Sequence, residues 1–295
     1  MNMPHASRRT RLRFILPAAL ALGGLLAAGT QIAAAAPTRA APTGVAAAAH
    51  QRDAAPKPTI VLVHGAWADS GSWNAVVRRL QSAGYTVDVP PNPLQGLTYD
   101  TATLTDFLST ISGPIVLVGH SYGGMVITNA ATGNPNVKAL VYDDAYIPAQ
   151  GDTLEGLTGA QPGSCLAVAN PATVFNFVPF PGAPSGVVDA YVKASVFPGC
   201  FANGLPAREG ALLAATQQPL ATSALTDPSG VPAWKTIPSW DVVGTADHIL
   251  PPAEQLIMAK RADAHVTEVN APHLSMISNP GVVTSVIIDA ARAAG

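Results

Sequence analysis

The sequence has only two cysteines among its 295 residues and contains no internal repeat. Two cysteines alone cannot form a structural zinc site. Lysine and arginine total 16, and they form no cluster after residue 40, so nucleic acid is not an expected partner. The longest apolar run near the N terminus is short for a membrane span and rich in alanine rather than leucine. These absences argue against a structural zinc site, a nucleic-acid partner and a membrane-spanning helix, with a retained N-terminal anchor as the alternative.

Residues 1–36 have the pattern of a signal peptide for export. Four arginines and no acid lie within His5–Arg13, an apolar stretch covers Phe14–Ala28, and small residues at Ala33–Ala36 suit cleavage. Residues 37–57 are rich in alanine, proline and threonine, which predicts a disordered leader. We therefore expect a secreted or periplasmic protein with no stable membrane association once the signal has been removed.

The cleavage site and the export route each have alternatives. Pro37 would hinder cleavage directly after Ala36, so any position between Ala35 and Ala40 agrees with the pattern. Arg8-Arg9 partly matches a twin-arginine signal, and the general secretory route fits at least as well. Removing residues 1–40 takes away five arginines and no acid, which leaves 11 basic and 18 acidic residues and a net charge of −7. This composition fits an exported enzyme that acts on neutral or apolar small molecules.

Strand and helix patterns alternate over residues 58–148 and again over residues 236–295. Apolar runs predict buried strands at Thr59–Val63 and Ile115–Val118, and further strands are predicted at Tyr85–Val89, Val137–Tyr142, Ser239–Val243 and Val266–Val269. Apolar residues at helical spacing predict helices at Ser70–Gly84, Asp100–Ile111, Met125–Ala131, Pro251–Arg261 and Val282–Ala291. Such alternation predicts an α/β fold, with a mostly parallel sheet covered by helices on both faces.

Residues 149–235, hereafter the insertion, break this alternation and are expected to form a lid over a pocket. Glycine and proline are frequent, no strand pattern stands out, and short helices are predicted at Val187–Val196 and Arg208–Leu220. Five of the seven phenylalanines lie here, at Phe175, Phe177, Phe180, Phe197 and Phe201. We expect Phe177 and Phe180 to contact substrate, together with Trp67, and others of the five to form a small core within the insertion.

Both cysteines, Cys165 and Cys200, also lie in the insertion. In an oxidising compartment they are expected to pair. The chain-entropy model gives such a bridge about 4 kcal/mol of stabilisation. Two unrelated buried thiols are the alternative.

The sequence Gly-His-Ser-Tyr-Gly at residues 119–123 lies between a predicted buried strand and a predicted helix. In that context a G-x-S-x-G pattern is a nucleophile elbow, which holds the serine on a strained turn at the edge of the sheet. Gly119 and Gly123 lack a Cβ and let the strand and helix approach closely. The pattern therefore predicts Ser121 as a nucleophile and the amide of Tyr122 as a donor to an oxyanion.

A serine nucleophile needs a histidine base, and with an elbow the order along the chain is serine, acid, histidine. His273 follows the last predicted strand and falls at the carboxyl edge of the sheet, so it is the favoured base. His248 is the other candidate, but it is adjacent to the favoured acid. His64 and His120 are expected to shape the loops beside the site.

The acid that orients the histidine must also follow a strand at this edge of the sheet. Asp247 meets this requirement, and the Pro-Pro helix start behind it predicts a tight loop. Asp143 and Asp144 follow the predicted strand Val137–Tyr142 and are the rivals, and Asp247 is favoured over Asp144. Asp241 lies within a strand and is expected to be structural.

Four segments together resemble the α/β-hydrolase superfamily: His64-Gly65-Ala66-Trp67, residues 119–124, Gly244-Thr245-Ala246-Asp247 and Pro272-His273. The first of these and the small lid are similar to the branch that contains plant methyl esterases and hydroxynitrile lyases. Over residues 58–294 the resemblance implies an eight-stranded sheet, a Ser-Asp-His triad, and oxyanion-hole amides from Ala66 and Tyr122. Only six or seven strands are predicted here, so the first two of the usual sheet are missing or shortened.

The resemblance and the motifs together predict a serine hydrolase that cleaves carboxylic esters of small apolar or aromatic molecules, with no metal or organic cofactor. Lactones and thioesters would use the same groups. Hydroxynitrile lyases of this branch carry a lysine after the catalytic histidine and a threonine in the oxyanion loop, where this sequence has Leu274 and Gly65. A dehalogenase would need a carboxylate at Ser121, and a non-catalytic binding protein would be expected to lack a member of the triad.

Overall fold

The computed structural model describes residues 56–295. The predicted signal, residues 1–36, lies outside the described residues, as does the predicted leader up to residue 55. The strands are β1 Thr59–Val63, β2 Val87–Asp88, β3 Ile115–His120, β4 Val137–Asp143, β5 Phe175–Val178, β6 Asp189–Val192, β7 Leu220–Ala221, β8 Ser239–Gly244 and β9 His265–Val269. The α-helices are α1 Asn74–Ser82, α2 Leu97–Ser109, α3 Tyr122–Ala130, α4 Leu154–Thr158, α5 Ala207–Thr216, α6 Ser223–Thr226, α7 Pro252–Arg261, α8 Ser275–Ser278 and α9 Pro280–Ala293. Short 3₁₀ helices lie at Ser70–Trp73, Pro171–Thr173 and Ala233–Lys235.

Six strands form one parallel sheet in the order β2-β1-β3-β4-β8-β9. Its central strands are the apolar runs of the sequence, since every residue of β3 is buried and so is nearly all of β1 and β4. A strand covered on both faces favours such continuous apolar sequence. The predicted α/β class is confirmed, but the sheet has six strands where the resemblance implied eight, because no strand precedes β1 within residues 56–295.

Helices cover both faces of this sheet. On one face α1 packs against α9, which crosses β3, β4 and β8, and on the other α2 packs against α3. The apolar side of α1, with Val76 and Leu80 fully buried, follows the helical spacing of the sequence. Within the described part of the chain, no helix has the length and hydropathy that crossing a bilayer would require.

All six strands run the same way, so the loops that follow them meet at one edge of the sheet. The loop after β1 carries Ala66, and the turn after β3 carries Ser121. The loops after β4, β8 and β9 carry Asp144, Asp247 and His273. The topology therefore gathers residues that are up to about 200 positions apart in the sequence.

The insertion contains a three-stranded antiparallel sheet in the order β5-β6-β7. The expectation of no strands in this region was therefore wrong, and so was the helix predicted at Val187–Val196. Strand β6 occupies that segment, and its burial alternates, with Ala190 and Val192 buried and their neighbours half-buried. A period of two is the pattern of a strand with one covered face. Helix α5 lies close to the helix predicted at Arg208–Leu220.

Cys165 and Cys200 form a disulfide, with a Cα–Cα distance of 5.9 Å. It joins two parts of the insertion that otherwise have little regular structure. One is the loop before β5, and the other is the turn between β6 and α5. The bridge therefore fixes the loop before β5 relative to the rest of the insertion.

Candidate active site

Ser121 lies at the junction of β3 and α3 with φ +52° and ψ −125°. A non-glycine residue in this region is strained and is held there by its surroundings. The flanking glycines make the turn possible, because a Cβ on Gly119 would come within 2.7 Å of the Gly123 carbonyl oxygen. A Cβ on Gly123 would lie 2.6 Å from the Val63 carbonyl oxygen. The close approach of strand and helix therefore excludes larger residues from both positions.

Asp247 and His273 meet at the same edge, both with fully buried side chains. The Nδ1 of His273 donates to Oδ2 of Asp247 at 2.8 Å. The other carboxylate oxygen, Oδ1, accepts from the backbone amides of Ile249 and Leu250 at 2.7 and 3.0 Å. The carboxylate is therefore fixed on both sides, and it sets the tautomer of the imidazole with the proton on Nδ1.

Gln255 is part of this arrangement, and the sequence analysis missed it. Its Nε2 donates to Oδ2 of Asp247 at 2.9 Å and to the Leu250 carbonyl at 2.8 Å. It lies on α7, on the same buried side as Met258 and Ala259. A glutamine at helical spacing with core residues, directly after the predicted acid loop, is the sequence signal that could have found it.

The second nitrogen of the His273 ring, Nε2, is buried and has no hydrogen-bond partner among residues 56–295. The backbone of the same residue is tied to the elbow, since Nε2 of His120 donates to the His273 carbonyl at 2.9 Å. The two rings lie 4.8 Å apart between centroids. An imidazole with one nitrogen held by a carboxylate and the other free can accept a proton from a nearby hydroxyl. Ser121, which follows His120, is the hydroxyl that the elbow presents.

The two backbone amides predicted to donate to an oxyanion are not engaged in other hydrogen bonds within residues 56–295. Among the described residues, the amides of Ala66 and Tyr122 donate to no acceptor in a loop, turn or cap. The Tyr122 amide is at the first position of α3, where helix geometry leaves an N–H group free. The Tyr122 side chain is anchored separately, because its hydroxyl donates to Asp100 at 2.8 Å.

His64 holds the oxyanion loop as a neutral ring. Its Nδ1 donates to the Gly65 carbonyl at 2.9 Å, and its Nε2 accepts from the Asn92 amide at 3.0 Å. Burial lowers the pKa of His64, and burial with the nearby His273 lowers that of His120 still further. Both rings therefore stay uncharged near neutral pH, and their contacts shape the loops beside the site.

The rival acid Asp144 makes different contacts. Its Oδ1 accepts from the Gly244 amide at 2.6 Å and its Oδ2 from the Ser275 amide at 3.2 Å. These bonds link the loops that carry Asp247 and His273 without reaching the imidazole. Histidine 248, the other candidate base, is exposed, and its carbonyl accepts from the Cys165 amide at 2.8 Å.

Three further carboxyl groups are fully buried, at Asp143, Asp144 and Asp241; the first two feel the charge of Asp247, and Asp241 feels that of Asp143. Burial raises the pKa of Asp143 from 3.8 to about 7, with a smaller contribution from the charge of Asp247. Burial and neighbouring acids raise the pKa values of Asp144 and Asp241 well above the ordinary value. Neither oxygen of Asp241 has a partner within the described chain. The cluster therefore favours protonated carboxyl groups.

This cluster predicts a pH dependence of stability. The folded-state pKa of Asp143 lies above its unfolded value, so between about pH 4 and 7 the folded protein binds the proton more tightly. The free energy of unfolding should therefore fall as pH rises, by up to about 1.4 kcal/mol per pH unit for this group.

Asp143→Asn should flatten that decline in urea unfolding at pH 4.5, 5.5 and 6.5. Asp106→Asn, a change of an exposed acid on α2, is the matched control. Parallel curves for the wild type and Asp143→Asn would contradict the assignment.

A cavity of about 500 Å³ opens onto Ser121 and onto Ala66 and Tyr122, whose amides are the predicted oxyanion donors. The apolar side chains that line it include Trp67, Leu154, Leu166, Phe175, Phe177 and Ile249. Among residues 56–295, one acidic residue, Glu155, and no lysine or arginine line it. Its size and lining are those of a small-molecule site.

The predicted substrate contacts divide. Trp67 and Phe177 line the cavity, whereas Phe180 is not among its lining residues. Phe180 lies just beyond β5, in the turn where the chain leaves the cavity wall. Phe197 and Phe201 are buried against each other, and the Phe201 ring lies 5.2 Å from that of His273. The phenylalanines of the insertion thus serve both the cavity and an internal core.

Comparison with known proteins agrees with this geometry. The model of the alpha/beta hydrolase family matches residues 60–286. The chain is 37% identical over 110 residues to the carbendazim hydrolyzing esterase of a Nocardioides species, a match covering 33% of this chain and 46% of that protein. It therefore spans under half the length of this relative. It is 25% identical over 260 residues to Methylesterase 17 of Arabidopsis thaliana, covering 81% and 93% of the two chains.

Among solved structures, a pyrethroid hydrolase from Sphingobium faniae is similar with a TM-score of 0.59 and 24% identity. The likeness covers 80% of this chain and 97% of that one, and at this identity it concerns the fold. The family match covers most of the chain and includes the loops that carry Ser121, Asp247 and His273. The protein is therefore a member of the alpha/beta hydrolase family.

Proposed function

We propose that this protein is a serine hydrolase that cleaves carboxylic esters of small apolar or aromatic molecules through an acyl-enzyme. The observation that carries the proposal is the buried Asp247–His273 pair, with a free Nε2, at the sheet edge where the elbow presents Ser121. Several relatives are named esterases or hydrolases, which supports the same class of reaction.

In the proposed mechanism, Oγ of Ser121 attacks the ester carbonyl while Nε2 of His273 takes its proton. Asp247 holds the tautomer and stabilises the imidazolium. The amides of Ala66 and Tyr122 donate to the oxyanion of the tetrahedral intermediate. The imidazolium then protonates the departing alkoxide, which leaves as the alcohol. Water attacks the acyl-enzyme through the same base, and the carboxylic acid is released.

The cavity supports a neutral, apolar substrate. Its walls are aliphatic and aromatic. The described part of the chain contributes no lysine or arginine to the lining, so a carboxylate on the substrate would find no charge partner among these residues. The names of the relatives point the same way, since they include hydrolases of a pyrethroid and of carbendazim. We propose that the insertion acts as the lid of this cavity and that residues 1–36 direct export.

Hydrolysis is favoured over a lyase reaction by the oxyanion loop. A Cβ on Gly65 would lie 2.6 Å from Cβ of Ser121 and 2.8 Å from the His120 carbonyl oxygen. A threonine at this position, as the lyases carry, would not fit this arrangement. Leu274, where the lyases carry lysine, is buried and supplies no charge. Lactones and thioesters stay as alternative substrates of the same groups.

A panel of p-nitrophenyl esters of rising acyl length, with lactones, thioesters and methyl aryl esters, tests the proposed substrate class. We expect higher kcat/KM for esters with apolar or aryl groups than for matched esters that carry a carboxylate. A preference for the anionic esters, or turnover of lactones alone, would contradict the ester assignment.

The disulfide should affect large substrates most. Leu166 and Ala167, directly after Cys165, line the cavity, and Cys200 adjoins Phe201, which packs on His273. Without the bridge, the Cys165→Ser/Cys200→Ser variant should show a raised KM for bulky apolar esters and a modestly lower Tm. The sheet buries its own core, so KM for an acetate ester should change less.

The acetate ester is the internal control for this experiment. Mass spectrometry with alkylation before and after reduction checks that the secreted protein carries the bridge. An equal change in KM for both esters would show that the bridge does not act on the cavity wall.

A further inference from the structure

Trp67 directly follows the oxyanion residue Ala66 and has φ +56°. A bulky aromatic residue in the left-handed region is an outlier, and only surrounding contacts keep it there. Its indole Nε1 donates to the carbonyl of Ala190 at 2.8 Å. That carbonyl belongs to β6 of the insertion, 123 residues further along the chain. The oxyanion loop is therefore hydrogen-bonded to the insertion through one side chain.

Packing reinforces this connection. The Trp67 ring lies 5.4 Å from Phe175 of β5 and 5.9 Å, edge-on, from Phe201. The side chain is buried and has contacts with the insertion on more than one side. A shift of β5 and β6 would therefore move or release the Trp67 ring.

The backbone on the other side of the oxyanion amide is fixed independently. The Gly65 carbonyl, which accepts from His64, belongs to the same planar peptide unit as the Ala66 N–H. His64 thus holds the peptide at one end, and the strained turn at Trp67 sets the direction in which the chain leaves it. The Ala66 N–H keeps its direction only while both supports are in place.

We propose that Trp67 is a positioning residue that makes the oxyanion hole depend on the closed position of the insertion. The proposal rests on the function proposed above, in which the Ala66 amide stabilises the oxyanion. It differs from the expectation that Trp67 only contacts substrate. A cavity wall contributes to substrate binding and affects KM, whereas an oxyanion donor acts on the transition state and affects kcat.

Trp67→Phe removes the indole N–H and keeps an aromatic ring. Trp234→Phe is the matched control, because Nε1 of Trp234 donates to the Pro148 carbonyl at the same distance, 2.8 Å, and Trp234 does not line the cavity. We expect Trp67→Phe to lower kcat for p-nitrophenyl butyrate by about 10- to 100-fold, less than outright loss of an oxyanion donor. KM should stay within about twofold, and Trp234→Phe should leave both constants unchanged.

A pair of inhibitors separates stabilisation of the oxyanion from binding by the cavity wall. An aryl trifluoromethyl ketone forms a tetrahedral adduct with the serine, whereas the matching methyl ketone binds largely without one. The ratio of their affinities cancels the contribution of the cavity wall. Trp67→Phe should lower this ratio by the same factor as kcat. Phe175→Leu removes an aromatic contact of the Trp67 ring from the insertion and should also lower this ratio, by a smaller factor. It replaces Trp67→Phe in the experiment if that variant does not fold.

If the wild type is active, and Trp67→Phe has the same kcat and the same inhibitor ratio as the wild type, this proposal is overturned and the proposed function is not. A raised KM at constant kcat, or an equal loss of activity in Trp234→Phe, would overturn it as well. A folded wild type that hydrolyses no ester and forms no adduct would instead overturn the proposed function, and this inference with it.

Discussion

Replacement of Ser121 by alanine is expected to abolish ester hydrolysis while leaving the fold intact. The elbow places this side chain at the end of the cavity, where it is only 3% exposed, and the change removes one oxygen atom. Because the members of a triad act as a unit, kcat should fall by about 10⁴-fold or more. Steady-state assays on the best ester of the panel, at matched protein concentration, measure the loss.

Circular dichroism and thermal unfolding provide the control for this variant. Alanine at Ser121 keeps the Cβ, so the turn and its close contacts should be preserved, and Tm should change little. Activity within about tenfold of the wild type would contradict the mechanism, since a covalent intermediate on this residue would then be unnecessary.

Asp247→Asn is expected to lower kcat by about 10⁴-fold through the wrong tautomer of His273. Oδ1 of Asp247 accepts two backbone amides, so the asparagine carbonyl oxygen would occupy that position. The amide NH₂ would then replace Oδ2 and donate to Nδ1 of His273. The ring would carry its proton on Nε2 and could not accept one from Ser121. The pH–rate profile and kcat of the purified variant test this expectation.

Asp144→Asn is the matched comparison. Its carboxylate accepts from the amides of Gly244 and Ser275 and does not contact the imidazole. The asparagine would lose one of these two bonds, so kcat should fall by at most about tenfold, with some loss of stability. A larger loss of kcat in Asp144→Asn than in Asp247→Asn would instead identify Asp144, in the loop after β4, as the acid.

The central strands of the sheet could be predicted from the sequence because they are buried on both faces. Apolar runs located β1 and β3 to within two residues, and the segments Val137–Tyr142 and Ser239–Val243 located β4 and β8 to within one. The two-residue strand β2 is shorter than predicted, since it lies at the edge and has a partner on one side only. The strands of the insertion were missed because they are short and partly exposed. Strand β6 alternates in burial over only four residues and β5 is mostly exposed, so neither gives a clear strand pattern in the sequence.

The sequence predicts those residues of the candidate site that lie directly after strands. Asp247 and His273 were brought to one edge by topology alone, and the structure places them in contact. Gln255 and the bond from Trp67 to Ala190 could not be predicted, because each depends on how a helix or the insertion packs in three dimensions. The residues that line the cavity were hardest to predict for the same reason, as the position of Phe180 outside that lining shows.

Labelling with a fluorophosphonate probe tests the central claim most directly. The folded protein should react with one equivalent of probe, and peptide mapping by mass spectrometry should place the adduct on Ser121. Heat-denatured protein and Ser121→Ala should not react, because the reaction needs the activated hydroxyl rather than a serine as such. A folded protein that hydrolyses esters but carries the adduct elsewhere, or carries none, would contradict the account.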